Sequence, residues 1–118
     1  MRVAKAVHLK KGEVFAHQVG VAMTFYERTR GLLGRGALKD GEGLFIPKCK
    51  SIHTFFMRFP IDVLFLDRNN AVTKIVPCLV PFRIAVGPWR TSGVLELRCG
   101  TLREGRFETG DTISFLPE

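Results

Sequence analysis

Apolar and polar positions alternate with a period of two along most of this chain, the repeat of a strand with one buried face. Val3, Lys5, Val7 and Leu9 alternate with Ala4, Ala6 and His8. Lys10-Lys11-Gly12 then offers a tight turn and Val14 to Val19 can pair back, so residues 3–19 are expected to form a hairpin. With Leu9 opposite Val14, His8 and His17 fall on one face as diagonal neighbours. Two histidines could hold a metal, but no third ligand lies in reach along the sequence, and they are read as surface residues.

The densest apolar run is Ser51 to Asp67. Ile52, Thr54 and Phe56 alternate with His53, Phe55 and Met57, and Pro60 marks a break or an edge. Ile61 to Leu66 is apolar on both faces except for Asp62, which is the pattern of a strand buried on both sides. A carboxylate inside such a strand must be paired, hydrogen-bonded or protonated. Asp67-Arg-Asn-Asn70 reads as a hairpin loop, with Ala71 to Val76 returning antiparallel. Taking Leu66 opposite Ala71, Asp62 faces Ile75 and Lys74 points away. The partner of Asp62 then comes from elsewhere, unless a bulge changes the register.

Thr24-Phe-Tyr-Glu27 is a capping box, and Gly34 is a natural C-cap, so a short helix is expected at about residues 25–33. Gly31 inside it costs about 1 kcal/mol relative to Ala and would allow another segment or a ligand to approach closely. Gly43 to Ile46, Val94 to Leu97 and Thr112 to Leu116 read as further strands. Residues 77–90, punctuated by Pro77, Pro81 and Pro88, are apolar but irregular, and should cover a core edge or a cavity. Thr101-Leu-Arg-Glu104 repeats the capping pattern, but Gly105 allows only one turn. Roughly seven or eight short strands and one helix give a mainly β fold, a small antiparallel β-barrel or β-sandwich with one short α-helix.

The 118 residues are expected to form a single domain, 1–118, with 46% apolar residues and ten Phe to build its core. The net charge of +7 favours non-specific contact with polyanions at low salt, yet no run of five like charges forms a basic tail. Cys49, Cys78 and Cys99 are odd in number and widely spaced, so the expectation is buried free thiols in a reducing compartment, with no zinc site. The N-terminus lacks an apolar core of signal-peptide length, and no stretch approaches ~20 apolar residues. A soluble cytoplasmic protein is expected, with neither metal nor cofactor.

Several segments fall in a familiar order. They are Tyr26-Glu-Arg-Thr-Arg-Gly-Leu-Leu-Gly-Arg35, Gly43-Leu-Phe-Ile46, Ile52-His-Thr-Phe-Phe-Met57, Ile61-Asp-Val-Leu-Phe-Leu-Asp67, Val94-Leu-Glu-Leu97 and Gly110-Asp111. This series resembles the family catalogued as domain of unknown function number 192, over about residues 14 to 116. The resemblance implies a compact β fold found across bacteria and archaea, whose biochemical function is not established. Many members carry an N-terminal export or anchor segment. Where members often have an aromatic at position 53 or Met at position 33, this chain has His53 and Leu33.

The positions that match those motifs and suit a ligand site are Arg30, Gly31, His53, Met57, Asp62 and Glu96. They combine apolar residues with sparse polar groups, the composition of a small-molecule pocket. Arg30 could hold a carboxylate or phosphate bidentately, and Asp62 could orient a hydroxyl or amine. The simpler alternative ties Arg30 to Asp62 or Glu96 as a structural pair. Cys49 and His53 lie about 13 Å apart on an extended strand, too far for a nucleophile pair. No P-loop, dinucleotide fingerprint or other recognised catalytic motif appears. The working hypothesis is therefore a non-enzymatic β domain that binds a small ligand or a protein partner. The alternative is a barrel that binds single-stranded nucleic acid on Phe55, Phe56 and Phe59, which requires those rings to be exposed although their strand spacing resembles a core.

Overall fold

The computed structural model describes residues 2–24 and 36–117. The strands are β1 (Arg2–His8), β2 (Glu13–Val21), β3 (Glu42–Pro47), β4 (Ser51–His53), β5 (Ile61–Asp67), β6 (Val72–Leu79), β7 (Ile84–Val86), β8 (Thr91–Arg98) and β9 (Ile113–Pro117). Seven form one sheet in the order β6-β5-β8-β3-β2-β1-β9, while β4 and β7 form a separate two-stranded sheet. All pairs are antiparallel except β2 with β3, where the chain between the two strands is long enough for the crossover that a parallel pair needs. The expected helix at 25–33 lies outside the described residues, and no helix occurs among those described.

Two apolar clusters lie on opposite faces of the large sheet. The inner one takes Ala6 from β1, Phe15 and Val19 from β2, Leu64 and Leu66 from β5, Val72 from β6, Leu95 and Leu97 from β8, and Ile113 from β9. Strands from both ends of the sheet meet in it, so the sheet curls around this cluster. The outer one takes Leu44 and Ile46 from β3, Ile61, Val63 and Phe65 from β5, and Val94 from β8, under Ile52, Met57 and Ala85. Both clusters draw on β5, which explains why Ile61 to Leu66 is apolar on both faces and buried throughout.

The curl does not complete a barrel. Among the described residues, the two edges of the sheet meet near one end, at the isolated bridge Ala71–Thr112 beside β6 and β9. There Ile113 N–H donates to Asn70 O and Val72 N–H to Asp111 O, each at 2.8 Å. The second layer has two strands, β4 and β7. The mainly β, antiparallel expectation therefore holds, and the described residues form no closed barrel.

Bulges account for three further departures. In β1 the register slips on both sides of Ala6, so Val7, not Leu9, pairs with Val14. Consecutive residues Ala6, Val7 and His8 are then buried. His8 is consequently no surface histidine: it is 2% exposed, and its Nε2–H donates to Asp111 Oδ2 at 2.8 Å. Burial pushes the Asp111 carboxyl up, but the Glu108 N–H and His8 outweigh it and hold its pKa below the ordinary carboxylate value. Between β5 and β6, Leu64 pairs with Ile75 and Ile61 with Leu79, so a bulge at Pro77 and Cys78 lies opposite Asp62.

Cys78 and Cys99 form a disulfide. The expectation of free thiols fails here because β6 runs on through Pro77 to Leu79, bringing Cys78 beside the end of β8. Cys49 is outside the disulfide, and its Sγ–H donates to Ser51 O at 3.0 Å. Among the described residues no helix is long and apolar enough to cross a membrane.

Candidate binding site

The small sheet is where the irregular segment of the sequence acquires a purpose. Ile52 pairs with Ala85, and both point into the outer cluster. Period-two alternation then turns Ser51, His53, Ile84 and Val86 outward. The loops that leave these strands are bound together by Thr54, whose side chain is fully buried. Its hydroxyl donates to Val80 O at 2.7 Å and accepts from Arg83 N–H at 2.9 Å. Its backbone N–H donates to Arg83 O at 2.8 Å, and its carbonyl accepts from Phe82 N–H at 3.0 Å and Met57 N–H at 3.2 Å.

This network fixes two phenylalanines in an unusual state. Phe56 has φ +66° and Phe82 has φ +63°. Left-handed backbone costs a bulky L residue about 1–2 kcal/mol and persists only where surrounding bonds over-determine it. Neither ring gains compensating burial, since Phe56 is 78% exposed and Phe82 58% exposed. Instead the rings contact each other edge-to-face at 6.1 Å, and Phe82 continues through Phe55 at 6.2 Å to His53, which is stacked on Phe55 at 5.4 Å. Ile84 and Val86, 64% and 56% exposed, extend the same outward apolar surface.

The segments that build this face are basic: Lys50, Arg58, Arg83 and Arg90 are exposed, and residues 43–61 and 68–95 contain no acidic side chain. The reading of the central phenylalanines as core is thus corrected for Phe56. Phe59 does pack against the outer cluster, and Phe55 is half-buried.

The six residues singled out in the sequence are spread over the fold. Arg30 and Gly31 lie outside the described residues. His53 is on the exposed face, and Met57 is buried in the outer cluster. Asp62 is 1% exposed and saturated by backbone: Oδ1 accepts from Cys78 N–H at 2.7 Å, and Oδ2 from Gly100 and Leu102 N–H at 3.0 and 2.7 Å. Lys74, as its register suggests, turns elsewhere and donates to Val86 O at 3.0 Å.

Glu96 pairs with Val63 across β5 and therefore faces the outer cluster. It is 4% exposed, and Oε2 has no hydrogen-bond partner among the described residues. Burial alone pushes its carboxyl up to about 7. Thr54 and Phe82 were not singled out in the sequence. The available signal was a lone hydroxyl inside the apolar run Ile52–Met57, and an aromatic directly after Pro81.

Known proteins share this architecture. Residues 6–115 match the family described as DUF192, an uncharacterised family. A UPF0127 protein of Thermococcus sibiricus is 30% identical over 116 residues, covering 95% of this chain and 75% of that protein. A UPF0127 protein of Pyrococcus horikoshii is 34% identical over 102 residues, covering 84% and 88% respectively. A crystal structure of a protein of unknown function from Novosphingobium aromaticivorans superimposes with a TM-score of 0.81 at 25% identity, covering 96% of this chain and 84% of that one. A structure from Sinorhizobium meliloti gives a TM-score of 0.78 at 21% identity, with coverage of 97% and 92%. By the match over residues 6–115, the chain belongs to the DUF192 family of uncharacterised proteins.

Proposed function

We propose that this chain is a non-enzymatic binding domain whose recognition face is the outward surface of β4, β7 and their loops, and that it docks an acidic protein segment with apolar anchors. One observation carries the reading: buried Thr54 holds Phe56 and Phe82 exposed on left-handed backbone. Folding gains little from rings left in water, whereas burying one against a partner is worth about 2 kcal/mol. Exposed apolar surface of this kind, rimmed by polar groups, marks interaction sites. The exposed cations Lys50, Arg58, Arg83 and Arg90 complement carboxylates and repel basic partners.

Single-stranded nucleic acid is the second reading, favoured by the ring series His53–Phe55–Phe82–Phe56 beside arginines. Val80, Ile84 and Val86 weigh toward protein, because branched aliphatic side chains fill an apolar interface but offer bases no stacking surface. Selection from a displayed random-peptide library on the immobilised chain tests the first reading. Acidic peptides with aromatic or aliphatic anchors should emerge. Titration with labelled oligothymidine at two salt concentrations tests the second. Tight oligothymidine binding that survives moderate salt, with no peptide enrichment, would replace the first reading by the second.

A further inference from the structure

The Cys78–Cys99 disulfide lies on the opposite side of β5 from the outer cluster, in surroundings that a purely structural cross-link does not require. Cys78 is exposed and sits in the bulge of edge strand β6, at φ +43°. The bulge withdraws Cys78 N–H from the strand ladder and gives it to Asp62 Oδ1. The same carboxyl group accepts from Gly100 and Leu102 N–H through Oδ2, so one buried side chain holds both the bulge that carries Cys78 and the segment that follows Cys99. A carboxylate oxygen of Asp62 and both sulfurs lie within 4.8 Å of one another. Beside them an open groove of about 490 Å³ runs past Ile75, Pro77, Leu102 and Phe107, with Arg103 at its side. Bulges recur where a side chain must be re-aimed beside a reacting centre. Exposed disulfides are also the ones that exchange.

We infer that Cys78–Cys99 is an exchange-competent redox pair that accepts two electrons from a dithiol seated in this groove. A thiolate of the dithiol attacks Sγ of Cys78, the more exposed residue of the pair. The Cys78–Cys99 bond breaks, Cys99 leaves as a thiolate and takes a proton from solvent, and a mixed disulfide with Cys78 forms. The second thiol of the dithiol loses its proton and attacks its own sulfur in the mixed disulfide, releasing Cys78 as a thiolate that is protonated in turn. The dithiol is oxidised to a disulfide, and the protein pair is reduced to two thiols. Asp62 acts as a positioning residue that keeps both cysteine segments in place through the cycle.

The test uses the native full chain in buffers of reduced and oxidised glutathione, with free thiols alkylated and located by peptide mass mapping. The pair should open in millimolar reduced glutathione without denaturant and close again in oxidised glutathione. In a Cys99→Ser variant, glutathione should accumulate on Cys78. In a Cys78→Ser variant, uptake on Cys99 should fall at least tenfold, because Cys99 is less exposed. Two results would overturn the inference: a disulfide that opens only after unfolding, or a pair that stays reduced in excess oxidised glutathione. The wild-type measurement decides the matter even where a variant fails to fold.

Discussion

Asp62 and Glu96 lie on neighbouring strands and face opposite sides of the same sheet. Asp62 pairs with Leu97 and points to the inner cluster, while Val63 pairs with Glu96 on the outer side. Two acids that look alike in sequence thus meet different fates. Asp62 is a buried carboxyl that accepts from the β6 bulge and from the segment after β8, and its loss leaves three backbone donors to find new partners. Asp62→Ala should cost about 3 kcal/mol in urea denaturation. A cost below about 1 kcal/mol would show that those N–H groups find water instead.

Glu96 is a buried carboxyl whose pKa is raised to about 7 by burial, against an ordinary value of 4.5. Between these values the folded state keeps the proton and the unfolded state releases it. Stability should therefore fall as pH rises from about 4.5 to 7, by up to about 3 kcal/mol, and level off above. Glu96→Gln keeps the shape without the charge and should remove this slope. Denaturant midpoints of both proteins across that range check it, and parallel curves would refute the assignment.

Thr54→Val preserves volume and removes the hydroxyl that joins Val80 O to Arg83 N–H. The expected loss is about 1–3 kcal/mol. Amide hydrogen exchange at Arg83 should accelerate more than exchange within β5, because the variant loosens the loop pair and not the core. Uniform acceleration would place Thr54 in the global folding unit instead.

Replacing both exposed rings, Phe56→Asn with Phe82→Asn, puts residues that tolerate left-handed backbone where phenylalanine is strained. The thermal midpoint should stay the same or rise. A fall equivalent to more than about 1 kcal/mol would mean that the rings serve the fold rather than a partner.

Much of this was legible before the fold was known. Ile61 to Leu66 announced a strand buried on both faces, and Asp62 announced a polar group that needed partners. The partners were not legible. They are backbone N–H groups of Cys78, Gly100 and Leu102, which carry no side-chain signature and reach Asp62 only through a bulge. The same bulge and the extension of β6 through Pro77 hid the disulfide, because widely spaced cysteines reveal no pairing until the register is fixed. Strand alternation through residues 54–57 predicts a core position for Phe56, whereas the chain turns there and Met57 N–H bonds back to Thr54 O.

The most direct test of the central claim compares peptide selection on the wild-type chain with selection on the Phe56→Asn, Phe82→Asn double variant. Acidic, apolar-anchored peptides should be recovered on the wild type, bind more weakly as salt rises, and lose at least tenfold in affinity on the variant. Peptides that bind both proteins equally, or no enrichment on a folded wild-type chain, would contradict a docking role for this face.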